Sequence, residues 1–178
     1  YEEAIYDIVY KNNIFEIRNY SERLVVQVSY TKQNRAFRKL FNYISGSNIN
    51  STKINMTTPV TESTKISMTT PVTQYNENDV KVMQFYLPSN FTIKNAPKPT
   101  DNDLKIMVVE QGYYAVIEYS GRLTDKNFNK YKKILKDNLL KDSIEILSSE
   151  IRATYNGPFT LPFLRRNEVM FNVSWKDI

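Results

Sequence analysis

Alternation of apolar and polar residues dominates the first thirty positions. AIYDIVY (4–10) and IFEIRNY (14–20) lie on either side of the polar turn KNN, and RLVVQVSY (23–30) follows almost at once. A side-chain period of two in runs of this length predicts strands, here an antiparallel opening. The period then lengthens. Across NRAFRKLFNYISG (34–46), Phe37, Leu40, Phe41 and Ile44 recur at helical spacing, Arg35, Arg38, Lys39 and Asn42 fall between them, and Gly46 ends the pattern. That predicts one amphipathic helix stopped by a glycine.

The second half repeats this order. LKIMVVEQG (104–112) and YYAVIEYSG (113–121) predict another strand pair. Thr124 stands where it can cap a helix whose Phe128, Tyr131, Leu135 and Leu139 share a face. Lys126, Lys130, Lys132, Lys133 and Lys136 form its solvated side, and IEILSSEIRATY (144–155) and EVMFNVSW (168–175) predict closing strands. The two successions suggest a duplicated β-rich unit, with pseudo-repeats of about 1–88 and 104–178 related by an approximate twofold axis. The Pro- and Asn-rich stretch 89–103 joins them within one domain spanning 1–178. The expected class is α+β: a mostly antiparallel sheet or barrel with two helices.

Composition narrows the chemistry. The 178 residues include no cysteine and no histidine, which removes disulfides, thiol nucleophiles, the usual zinc sites and histidine acid–base catalysis. Lys and Arg outnumber Asp and Glu by 24 to 19, a net +5 that tilts towards anionic partners. The cations are dispersed rather than gathered in a run, so a small anionic ligand is expected and nucleic acid is not. No apolar run approaches the ~20 residues that span a bilayer, so no transmembrane segment is expected. The chain opens at Tyr1 rather than Met, compatible with a removed export leader, and leaves both cytoplasm and envelope open.

One segment is written twice. TKINMTTPVTES (52–63) and TKISMTTPVTQY (64–75) differ at three positions. Each copy alternates with period two up to its proline, so Ile54 and Met56 share one face and Ile66 and Met68 share another. Two readings stand side by side. The methionines either fill irregular core gaps or form a soft apolar wall for a planar ligand, with a thioether available to a metal.

ISG (44–46), KINMTTPV and KISMTTPV, FYLPSNFT (85–92), PKP (97–99), SGR (120–122) and above all YNGPFTLPFLRRNEVM (155–170) resemble the SOUL/heme-binding protein family in content and order. The resemblance covers nearly the whole chain. It implies a distorted antiparallel β-barrel flanked by two helices with an internal pseudo-twofold repeat, similar to the effector-binding modules of the gyrase-inhibitor-like group. It also implies binding of heme or another tetrapyrrole in a shallow apolar groove beside a helix. On that basis Phe37, Leu40, Phe41, Met56 and Met68 are candidates to meet a macrocycle, and Arg35 and Arg38, with Lys39 beside them, to hold its propionates.

This sequence departs from family members described as ligating iron through histidine. Only Met, Tyr, Lys or water remains as an axial ligand, with Met56, Met68, Met83, Met107 and Met170 the only thioethers. No catalytic residue is assigned. A small-molecule hydrolase or effector-binding protein on the same fold is the alternative; its base would be a strand carboxylate such as Glu110 or Glu118 near Tyr113, Tyr114 or Tyr119. A third reading is an interaction module without heme. In the RRNE segment, Arg165, Arg166 and Glu168 are expected to fix the preceding loop through charge-assisted hydrogen bonds.

Overall fold

The two sequence halves thread one sheet in mirrored order. In the computed structural model, which describes residues 1–50 and 63–176, the alternating runs form β2 (Tyr6–Lys11), β3 (Glu16–Tyr20) and β4 (Arg23–Tyr30), behind a two-residue strand β1 (Glu2–Glu3). Helix α1 (Gln33–Ile44) follows, then the short strands β5 (Asn48–Ile49) and β6 (Thr69–Thr70) and a hairpin of β7 (Val72–Glu77) and β8 (Val80–Tyr86). After β9 (Lys98–Pro99) come β10 (Leu104–Val109), β11 (Gly112–Tyr119), helix α2 (Asp125–Lys141), β12 (Ile151–Thr154) and β13 (Asn167–Asn172).

Nine strands join in the order β10-β4-β8-β7-β12-β13-β11-β3-β2, every neighbouring pair antiparallel. Chain segments β4-α1-β7-β8 and β11-α2-β12-β13 therefore lie as β4-β8-β7 and β11-β13-β12, meeting at the β7–β12 pair. Each half lends a strand to the other: β10 extends β4, and β3 extends β11. The sheet curls into a half-barrel whose edges are β10 and β2. The α+β class and the two flanking helices are thus as expected.

Period-two alternation sends side chains to opposite faces, and the helices cover one of them. Under α1, the helix residues Ala36, Leu40, Tyr43 and Ile44 pack on Leu24, Val26, Val28, Met83 and Phe85. Under α2, Phe128, Leu135 and Leu139 pack on Phe15, Ile17, Ala115, Ile117 and Phe171. A third cluster, Tyr20, Tyr114, Val116, Ala153 and Met170, sits on the other, concave face.

Three details depart from the sequence reading. The β7–β8 hairpin turns on Asn78 and Asp79, both at positive φ (50° and 64°), between the paired residues Glu77 and Val80. That is the two-residue loop geometry Asn and Asp tolerate best. The strand expected over 144–155 shrinks to Ile151–Thr154 plus an isolated Ile146–Val173 bridge. In between, the Ser148 hydroxyl accepts from the Asn172 backbone N–H and the Ser149 hydroxyl donates to the Asn76 carbonyl, displacing regular ladder bonds. In the second MTTPV copy the strand expected to include Ile66 and Met68 shrinks to β6 (Thr69–Thr70), which ends before Pro71 as expected, and β7 starts just after it; the first copy lies outside the described residues.

Candidate functional site

Helix α1 carries apolar residues on more of its circumference than the core requires. Ala36, Leu40, Tyr43 and Ile44 are buried, yet Phe37 and Phe41 remain 43% and 48% exposed. One turn apart, their rings stack with centroids 6.2 Å apart and planes 14° from parallel. Phe37 also meets the buried Phe85 ring edge-on at 5.3 Å, so the pair is braced from below rather than loose on the surface.

Charges around this ledge divide into engaged and free cations. Lys39 is bound by Asp101 at 3.2 Å and by Asp103, contacts that raise its pKa, with the Asp103 hydrogen bond the main cause. Arg35 and Arg38 are exposed and carry no ion pair among the described residues. With Lys32 they border an open depression at the start of the helix.

The residues singled out in the sequence therefore separate. Arg35, Phe37, Arg38 and Phe41 share the outward side of α1, whereas Leu40 is fully buried beneath it. Met68 is partly buried against the α1 core alongside Ile66, and Met56 lies outside the described residues. Met83 and Met170 are buried, and Met107 is 43% exposed on β10. Gly46 ends α1 at φ +125°, its N–H donating to the Tyr43 carbonyl. The buried Asn48 amide then ties the Tyr43 carbonyl to the backbone at Thr64.

On the concave face a buried charge network absorbs the most specific motif. Glu168, with no exposed surface, receives both terminal nitrogens of Arg18 at 3.0 Å, the Tyr155 hydroxyl at 2.9 Å and two nitrogens of Arg166 at 3.0 and 3.1 Å. Burial alone would lower the Arg18 pKa; Glu168 and then Tyr20 outweigh it and hold the guanidinium more basic than usual. Arg165 donates to the Pro158 and Thr160 carbonyls, fixing the loop as the RRNE reading expected. Pro162 accepts from the Gly121 N–H, which joins SGR to the same corner. Removing one member of such a network leaves uncompensated charge and costs about 3–5 kcal/mol.

Glu168 is thus the buried carboxylate that sequence reading did not find, because its partner Arg18 stands 150 residues away. All its acceptor capacity is taken by cations and a phenol, so it is no free base. Glu110 and Glu118 are both exposed, the latter 3.5 Å from Arg166. Neither is the pocket carboxylate a hydrolase reading needs.

Comparisons place this geometry among known proteins. Residues 1–172 match the family model described as SOUL heme-binding protein. No curated protein sequence matches the chain. Among solved structures, the EcmrR C-terminal domain is similar with a TM-score of 0.63 at 11% identity, over 96% of this chain and 98% of that one. A hydrolase from Listeria innocua has a TM-score of 0.58 at 9% identity, over 93% and 94% of the two chains. EcmrR in a DNA complex gives 0.62 at 11%, over 89% of this chain and 56% of that one. At such identities the likeness speaks for the fold alone.

Proposed function

Because the chain belongs to the SOUL heme-binding protein family, we propose that it is a non-enzymatic tetrapyrrole-binding protein, serving in buffering, transport or sensing, and that its ligand lies on the outward side of α1. One observation carries the reading: a stacked, half-exposed Phe37–Phe41 pair on the exposed side of α1, with Arg38 and, one turn before it, Arg35 free of ion pairs among the described residues. A planar macrocycle covers the two rings, and its propionates reach the arginines.

The donor set suits the macrocycle better than the metal. Heme would supply a large aromatic plane, two carboxylates and an iron. The chain offers no histidine or cysteine to that iron, and none of the described methionines stands on α1. Completing the burial of each half-open Phe contributes roughly 1 kcal/mol, and ring stacking adds about 0.5–1.5 kcal/mol. The exposed arginine contacts are screened and contribute about 0–1 kcal/mol each. Together these come to about 3–6 kcal/mol, short of the ~8 kcal/mol of a micromolar complex. Such weak binding fits a carrier that releases its cargo.

Parallel titrations with hemin and metal-free protoporphyrin IX, followed by their absorbance bands in competition with albumin, test this. The expected result is saturable one-to-one binding with affinities within about threefold of each other. A strong preference for hemin would show iron ligation and overturn the macrocycle reading; no saturable binding of either would remove the function altogether.

A further inference from the structure

Between the two halves, the concave face forms a trough of about 500 Å³ whose lining comes from strands of both. Its floor is polar, which is unusual for the middle of a sheet. The Gln84 amide donates to the Gln27 side-chain oxygen at 2.9 Å and reaches the Tyr75 hydroxyl at 3.3 Å, while the Thr73 hydroxyl lies 3.3 Å from the Gln84 oxygen. These bonds hold the amides in fixed orientations. The volume falls within the range of small-molecule pockets.

At one end stands Arg23. Its guanidinium carbon lies 4.8, 5.2 and 5.3 Å from the ring centres of Tyr20, Tyr86 and Tyr114. One terminal nitrogen donates to the Ser21 carbonyl at 3.2 Å, but Nε is buried with no hydrogen-bond partner among the described residues. No carboxylate lies within ion-pair distance of it among the described residues. Arg18, on the same face, shows what a satisfied buried arginine looks like here: a bidentate glutamate at 3.0 Å. The aromatic faces offset part of the cost of burying the Arg23 charge, yet an unmet buried donor still costs about 1–3 kcal/mol. The part of the guanidinium that remains accessible lines the trough, where an entering acid group can pair with it.

The far end of the trough has the opposite sign. Arg23 lies beyond the Val25–Tyr86 pair, whereas Glu77 pairs with Val80, six residues back along β8 or about 20 Å at strand rise. That leaves the Arg23 end as the one that takes an acid group. We infer that the trough is a separate binding site, distinct from the α1 ledge, for a flat aromatic acid whose carboxylate meets the accessible part of the Arg23 guanidinium and whose ring rests among Tyr86 and Tyr114.

The test titrates the whole protein with 2-naphthoate and with neutral 2-naphthamide, reading the Arg23 side-chain Nε–H resonance. Saturable displacement of that resonance by naphthoate, with at least tenfold weaker binding of the amide, is expected. Met107→Trp, at a half-exposed wall position, should block naphthoate and leave hemin binding unchanged. This keeps the inference testable if Arg23→Met fails to fold. Phe37→Ala/Phe41→Ala should do the reverse. Equal affinity for the two probes, or naphthoate binding intact in Met107→Trp, would overturn the second site without touching the α1 reading.

Discussion

Helices α1 and α2 occupy equivalent places in the two halves, each following the first of the three sheet strands of its unit, yet they are finished differently. Helix α2 begins with a Thr124 side chain that accepts the Asn127 N–H, carries Asp125 in its first turn and Lys141 in its last, and turns lysines outward. Every one of these features favours a helix. Helix α1 has Lys32 at its N-cap position with no side-chain bond, no acid in its first turn and no base in its last. Its outer side instead holds the Phe37–Phe41 stack. On the proposed reading, the helix that leaves these stabilising options unused is the one whose surface meets the ligand.

That contrast can be broken at several levels. The largest effect is expected where the helices are alike: Leu40→Ala and Leu139→Ala each remove a fully buried leucine and should each cost about 2–5 kcal/mol in urea unfolding. A cost confined to α2 would mean that α1 is not part of the core. Next, Phe37→Ala/Phe41→Ala should weaken hemin binding at least tenfold, about 1.4 kcal/mol. Leu140→Ala, the exposed apolar residue of α2, should change nothing, and equal losses would sink the assignment to α1.

Finishing α1 like its counterpart sharpens the comparison further. Lys32→Asp supplies the missing cap and should stabilise the protein by about 1 kcal/mol while lowering hemin affinity a fewfold, since Lys32 borders Arg35 and Arg38. A gain of stability with unchanged affinity would separate the cations from binding. The smallest effect concerns acid. The hydrogen bond from Arg152 holds the Asp125 carboxyl below its ordinary range. The folded pKa is the lower one, so its stabilisation is present above the ordinary aspartate value and lost as pH falls through the folded value. Hydrogen exchange at the start of α2 should therefore quicken at low pH, and the start of α1, without such an acid, should show no matching step.

Much of this architecture is legible in the chain. Both helices, the Thr124 cap, the Gly46 stop and strands β2 to β4 follow from period and punctuation. The β7–β8 hairpin has its own local signal, Asn78-Asp79 between VTQYNE and VKVMQFY, weaker than the proline of the neighbouring MTTPV. The family motifs proved to be fasteners: Gly46 and Asn48 close α1, Tyr43 donates to the Pro97 carbonyl, and the corner of Gly121, Arg165 and Glu168 locks the last loop. What no local pattern carries is the pairing of distant charges. Arg18 and Arg23 look alike in sequence, five residues apart, and only the fold gives one a glutamate and the other three tyrosines.

The outward side of α1 as the tetrapyrrole site is tested most directly by paramagnetic broadening. Adding substoichiometric hemin to isotope-labelled protein should bleach the amide signals of Arg35 to Phe41 and spare α2 and the Tyr114 end of the trough. Bleaching centred on the trough or on α2, with α1 intact, would contradict the account.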